Sequence, residues 1–204
     1  MIITKIETKK IPKLNYILNR NHICLLGKMR AGKDTLGKYL CNKQGFKRYA
    51  FGDRVKHHYH KIFGYEGGFS PRLAYQWFGQ AMRQHYQNVW VDWVKEQLDE
   101  EKPEKFVITD CRQVNEYNLA IQKRCVIVRI ESDEQIRIKR MKQLNDVYCL
   151  NHETETALDM YPAHLTITNN GTVEEMIQQF KLLFESTLWS PTEIKAGKLG
   201  KSGQ

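Results

Sequence analysis

The stretch His22-Ile23-Cys24-Leu25-Leu26-Gly27-Lys28-Met29-Arg30-Ala31-Gly32-Lys33-Asp34-Thr35 decides the fold. Its first five residues are largely apolar and predict a buried strand ending at Gly27. Residues 33–43 carry Leu36, Tyr39 and Leu40 at helical spacing and predict a helix directly afterwards. Between strand and helix, Gly27 and Gly32-Lys33 stand at G-x-x-x-x-G-K spacing, in the context this pattern needs to bind phosphate. The glycines let the backbone fold back so that its N–H groups share one cavity. The helix N-terminus adds positive potential for phosphate oxygens. Lys33 is expected to reach the terminal phosphates. The competing reading is a glycine-bearing turn that holds nothing.

The loop departs from the common pattern in two places. The residue after Lys33 is Asp34 instead of Ser or Thr, and the hydroxyl is displaced to Thr35. Asp34 either holds Mg²⁺ or its waters, or caps the helix and leaves the metal to Asp110. Arg30 lies inside the loop, where it is either a solvated residue or lies along a transferred phosphate and neutralises developing charge.

Outward from the loop, short apolar runs alternate with amphipathic stretches. Strands are predicted at Phe46 to Phe51, 105–109, 125–130 and 164–168. Helices are predicted at 54–63, from 71 to about 85, from about 88 to 100, 114–122, from 133 to about 145, a short one near 153–160, and 172–186. Gly67-Gly68 is a breaker, and Ser70-Pro71 opens a helix with Pro at its first position. Five strands alternating with helices predict an α/β fold, a parallel five-stranded sheet with helices on both faces. The helices at 54–100 interrupt the alternation and read as a substrate-binding insertion. Residues 133–160 read as a second insertion, a lid. Residues 1–189 are expected to form a single domain, with 190–204 a loose tail.

With 204 residues, 41% hydrophobic and 27% charged, the chain can fill a core, and wholesale disorder is not expected. No apolar run approaches the ~20 residues of a membrane helix, and Met1-Ile2-Ile3-Thr4-Lys5 does not resemble a signal peptide. The expected location is cytoplasmic. The five cysteines, at 24, 41, 111, 125 and 149, form no Cys-x-x-Cys pair, which argues against a disulfide framework or structural zinc. Lys+Arg 32 against Asp+Glu 23 gives a formal charge of +9, which suits either a basic solvated surface or an anionic partner.

Particular arginines narrow the choice. Val107-Ile108-Thr109-Asp110 is an apolar strand ending in a carboxylate, and open α/β sheets bind ligands beyond such strand ends. Arg112, two residues on, can meet a phosphoryl group bidentately. On the 71–85 helix, Arg72, Gln76, Gly79 and Arg83 fall within about 60° of one another, between two apolar flanks. Leu73, Trp77 and Ala81 form one flank, and Tyr75, Phe78 and Met82 the other. That pattern predicts a helix largely surrounded by protein, whose arginines meet either buried carboxylates or a substrate phosphate. Arg137 and Arg140, one turn apart, form either a solvated basic face or part of a mobile lid.

The loop at 27–35, Tyr49-Ala50-Phe51-Gly52-Asp53, Thr109-Asp110-Cys111-Arg112-x-x-Asn115-Glu116, His152-Glu153-Thr154-Glu155 and Ile167-Thr168-Asn169-Asn170-Gly171-Thr172 occur in that order. Together, over roughly residues 20–186, they resemble the deoxynucleoside monophosphate kinases of bacteriophages and prophages, within the P-loop kinase group. The resemblance implies the three-layer P-loop kinase fold. It implies that Gly27, Lys28, Met29, Arg30, Ala31, Gly32, Lys33, Asp34 and Thr35 bind ATP phosphates, with Asn170 and Gly171 bordering the adenine. It implies Mg²⁺ near Asp34, Thr35 and Asp110, and catalysis by Lys33, Arg30, Arg112 and the lid residues Arg137 and Arg140. Asp53, Lys56, Arg72, Gln76, Arg83 and Arg112 would then face the acceptor monophosphate. The expected partners are small nucleotides, with neither nucleic acid nor membrane, and a homodimer is left open. The alternatives are a P-loop kinase for phosphomevalonate, dephospho-coenzyme A or a polynucleotide 5′ end, and a non-catalytic ATP-binding switch.

Overall fold

The computed structural model describes residues 19–64, 71–144 and 156–187. Within them five strands, β1 (Asn19–Leu26), β2 (Lys47–Tyr49), β3 (Phe106–Ile108), β4 (Cys125–Glu131) and β5 (Leu165–Thr168), form one parallel sheet in the order β2-β3-β1-β4-β5. Seven helices accompany them: α1 (Lys33–Gln44), α2 (Phe51–Phe63), α3 (Pro71–His85), α4 (Val89–Glu101), α5 (Val114–Gln122), α6 (Glu134–Gln143) and α7 (Val173–Thr187). The α/β expectation holds.

The period-2 alternation of the strands sorts the core into two layers. Ile23, Leu25, Val107, Val126 and Val128 face α1 and α7, where they meet Leu36, Leu40, Met176 and Phe180. Cys24, Leu26, Phe106, Ile108 and Ile127 face α2 to α5, where they meet Val55, Phe78, Trp90 and Leu119. Because β1 and β4 are covered on both faces, they read as continuous apolar runs. Cys24, Cys111 and Cys125 are buried in the second layer as small hydrophobes. No helix among the described residues is long and apolar enough to cross a membrane.

From β1 the chain builds β2 and β3 on one side and then crosses to build β4 and β5 on the other, so the strand order reverses at β1. A crevice opens at such a switch point, beyond the carboxyl ends of the strands. That places Gly27 to Gly32, at the end of β1, beside Asp110, at the end of β3.

Several boundaries differ from expectation. β1 begins at Asn19 instead of His22, and the strand expected over Phe46 to Phe51 shrinks to Lys47–Tyr49. Helix α2 starts at Phe51 instead of 54, because the Asp110 carboxylate accepts from the Phe51 and Gly52 N–H groups (2.9 and 2.8 Å) and caps the first turn. The flanks of α3 are unequal. Ala74 and Phe78 are buried, but Leu73 and Trp77 are 44% and 61% exposed, so one flank is only partly covered by the described residues. Gly67-Gly68, Ser70, His152 to Glu155 and the tail at 190–204 lie outside the described residues, as do residues 1–18. Of the short helix expected near 153–160, residues 156–160 are described: residue 156 is helical and 157–160 form turns.

His164 makes the fold sensitive to acid. Its Nδ1 accepts from the Ile127 N–H at 2.8 Å, so that nitrogen carries no proton, and burial lowers the imidazole to about 4. The unfolded chain, with an ordinary value near 6.5, binds the proton first. Stability from this group is therefore complete above about pH 6.5 and is lost as pH falls from 6.5 to 4. In urea unfolding followed from pH 7.5 to 4, His164→Asn, whose amide oxygen can still accept from Ile127, is expected to lose less stability than the parent on acidification. Parallel curves for the two proteins would contradict the assignment.

Candidate active site

A cleft of about 880 Å³ opens at the carboxyl ends of the strands, with the 27–35 loop on one side and α2 and α3 on the other. Its volume lies within the range of small-molecule sites. Seven Lys or Arg side chains and three Asp or Glu line it, so it attracts anions.

The loop is held by its carbonyl groups. Gly27 and Gly32 have φ of 140° and 116°, and Arg30 has φ 60°, a left-handed conformation that a non-glycine residue adopts only when its surroundings impose it. A Cβ on Gly27 would collide with the Ile130 carbonyl oxygen, and one on Gly32 with the Asn169 amide nitrogen. Lys33 is buried, and its Nζ donates to the carbonyls of Gly27 (2.5 Å) and Lys28 (3.0 Å). Arg140 donates to the Arg30 carbonyl (3.1 Å), and the Asn169 amide to the Ala31 carbonyl (2.7 Å). Four loop carbonyls are thus tied to side-chain donors, which fixes the loop in a conformation ready for phosphate.

The second half of the site comes from β3 and the inserted helices. Burial raises the Asp110 carboxyl, while the Gly52 and Phe51 N–H groups and nearby Arg112 pull it down. Through these two bonds Asp110, at the end of β3, caps α2, which follows the neighbouring strand β2. Glu116, in the first turn of α5, is 2% exposed and accepts from the N–H groups of Arg112 (2.7 Å) and Gln113 (3.0 Å) and from Arg83 Nη2 (2.9 Å). Burial raises its carboxyl, against the pull of Arg83. Arg83 therefore meets the buried carboxylate that was one of its two expected partners, and it still lines the cleft.

Most expected site residues reach the cleft wall. From the loop these are Met29, Arg30, Gly32, Lys33, Asp34 and Thr35, and from α2 and α3 Lys56, Arg72, Gln76 and Arg83. Asp110, Arg112, Arg140 and Gly171 complete the set. Six do not line it. Gly27 and Ala31 serve as backbone of the loop, and Lys28 turns to Asp159 (3.0 Å). Asp53 is bound through both oxygens to Arg48 (2.5 and 3.3 Å), and Asn170 accepts from the Asp133 N–H (2.9 Å).

Arg137, the sixth, is buried, with Glu134 at 3.7 Å. The pair of lid arginines aimed at a phosphoryl group is thus not what α6 presents. Arg137 packs away from the cleft, and Arg140 is turned onto the loop and onto the Asn169 carbonyl (3.0 Å). Residues 145–155, the rest of the expected lid, lie outside the described residues.

Two site residues escape a reading of the sequence for ligands. Glu116 carries a signal, the Gln113-x-x-Glu116 capping box that the structure forms at the start of α5. Asn169, the buried support of the loop, lies in the Ile167–Thr172 segment that carries the resemblance, but nothing in that segment points to its bond with the Ala31 carbonyl.

Asp34, Thr35 and Asp110 offer hard oxygen donors in one cleft. That fits Mg²⁺, which takes one or two carboxylates together with substrate phosphates and water. Among the described residues no group of three or more His, Cys, Asp or Glu gathers into a dedicated metal cage.

A five-stranded parallel sheet with a G-x-x-x-x-G-K loop between its first strand and first helix defines a P-loop nucleotide-binding domain of kinase-like fold. Residues 23–157 match the family described as AAA domain, and the chain belongs to it. No curated protein matches the chain.

Proposed function

We propose that this protein is a kinase that transfers the terminal phosphoryl group of ATP to a nucleoside or deoxynucleoside monophosphate, giving the diphosphate and ADP. One observation carries the reading: a single cleft joins the phosphate loop to an α3 stripe of Gln76, Gly79 and Arg83, with Arg112 beside them. A switch that only holds ATP needs no second cationic wall.

In this reaction an oxygen of the acceptor phosphate attacks the terminal phosphorus, and the bond to the bridging oxygen breaks, leaving ADP. The acceptor is already a nucleophile, so no general base is needed, and among the described residues no histidine lines the cleft. Lys33 and Arg30 would stabilise charge on the transferred group from the loop side, and Arg112 from the acceptor side. Arg140 and Asn169 would act by holding the loop. Bound with ATP, Mg²⁺ supplies charge neutralisation, and Asp34, Thr35 and Asp110 would hold it. The acceptor phosphate would lie at the Arg83 and Arg112 end. Arg72, about 16 Å from Arg83 along the helix axis, would then serve the nucleoside end. A cytoplasmic location and small nucleotides as partners complete the reading.

Kinases for phosphomevalonate, dephospho-coenzyme A or a polynucleotide end remain the rivals among enzymes. Thermal shift separates the classes. ATP–Mg²⁺ and a nucleoside monophosphate are each expected to raise the melting temperature. Stabilisation by ATP–Mg²⁺ alone would favour the switch, and stabilisation by another acceptor in place of the monophosphate would favour a rival kinase.

A further inference from the structure

Gly79 stands in the middle of α3, where glycine is the poorest helix former after proline. Nothing among the described residues requires it. Its φ is not positive, unlike those of Gly27, Gly32, Gly45 and Gly64. A Cβ placed there would meet Val55 Cγ1 and Arg83 Nη1 at 3.5 Å, ordinary contact distance, whereas one on Gly27 or Gly32 would collide. The carbonyl of Gly79 accepts from Trp90 Nε1 at 3.1 Å, a bond that is indifferent to the side chain. What a side chain would take up is cleft space, since Gly79 forms part of the wall.

Its neighbours on the stripe have different chemistry. One turn earlier, Gln76 also lines the cleft, and its amide oxygen is buried with no hydrogen-bond partner among the described residues. One turn later, Arg83 lies on Glu116, which also holds the Arg112 N–H, so this end of the stripe abuts the loop after β3. From Gln76 to Arg83 the helix rises about 10 Å, which suits a nucleoside monophosphate lying along it.

We infer that Gly79 is a specificity-determining position that keeps α3 open for the sugar and base of the acceptor, whose phosphate lies at Arg83 and whose base edge meets the Gln76 amide. The inference rests on the kinase reading and adds the direction in which the acceptor lies. An amide unsatisfied in the free protein gains a partner from a base N–H, and a substrate without that group leaves it unpaired. The missing Cβ lets the flat face of the nucleoside approach the helix backbone.

The test is a comparison of Gly79→Ala and Gly79→Ser with the parent by melting temperature and by steady-state ADP release. Alanine is expected to raise the melting temperature by about 1–3 °C, as a helix propensity gain does in a chain of this size. Both variants are expected to raise the Michaelis constant for the monophosphate about tenfold or more and to leave that for ATP within twofold, serine more than alanine. Gln76→Leu is expected to change the order in which bases are preferred. A lower melting temperature for Gly79→Ala would make the glycine structural and overturn the inference, as would an unchanged Michaelis constant in an active variant. A parent that phosphorylates no monophosphate would overturn the kinase reading and this inference with it.

Discussion

Lys33→Ala is expected to lower phosphoryl transfer by about 10³-fold or more while the protein keeps its fold. The Lys33 ammonium is buried against the Gly27 and Lys28 carbonyls, at the point where the loop turns toward the cleft. It is a charge fixed before substrate arrives, so it stabilises developing charge without reorganisation. Truncation frees two carbonyls in a wall that water reaches, so the stability cost is expected to stay within about 1–2 kcal/mol. Lys33→Arg is not expected to rescue, because a planar fork cannot occupy the place of a compact ammonium. Turnover and melting temperature measured on the same preparations check this. Activity within tenfold of the parent would remove the loop from catalysis.

Glu116→Ala is expected to be the most destabilising single change in the cleft. The carboxylate is 2% exposed and takes three donors, the N–H groups of Arg112 and Gln113 and the Arg83 guanidinium, which is itself 18% exposed. Its removal strands a mostly buried positive charge and two N–H groups at a helix start. Breaking a buried pair by removing one partner costs about 3 kcal/mol or more. In a chain of this length that corresponds to a fall in melting temperature of roughly 6–12 °C. Glu116→Gln keeps the shape and one acceptor oxygen and is expected to lose about half as much. If Arg83→Met is added to Glu116→Ala, part of the stability should return, because no charge is left unpaired. A double variant as unstable as the sum of the two single changes would show that the pair is not coupled.

These two residues also mark what a sequence reveals. Lys33 is legible because strand, loop and helix fall within fourteen consecutive residues, and each part has a local physical signature. The α3 stripe is legible for a similar reason: 100° per residue brings Arg72, Gln76, Gly79 and Arg83 together, and all four line the cleft. The parallel direction of the strands follows from alternation of helix and strand, but their order in the sheet does not. The side chains that hold the site from a distance are not legible. Asp110 caps α2 across 58 and 59 residues of sequence, and the Asn169 amide reaches the Ala31 carbonyl across 138. Glu116 and Arg83 are 33 apart, on helices whose packing decides the contact. The same distance effect moved a boundary. Phe51 continues the apolar run of a strand, but Asp110 captures its N–H and makes it the first residue of a helix. Arg137 and Arg140, one turn apart, look equivalent in sequence. Only the fold separates one packed inside from one turned onto the loop.

As the proposed kinase, the protein brings ATP and a nucleoside monophosphate together in one cleft. Coupled ADP release, measured with ATP–Mg²⁺ against each common ribo- and deoxyribonucleoside monophosphate, tests it most directly. Turnover is expected to depend on the monophosphate, with at least one of them strongly preferred, and to be lost in Lys33→Ala. ADP release at the same slow rate with every monophosphate and with none would contradict it.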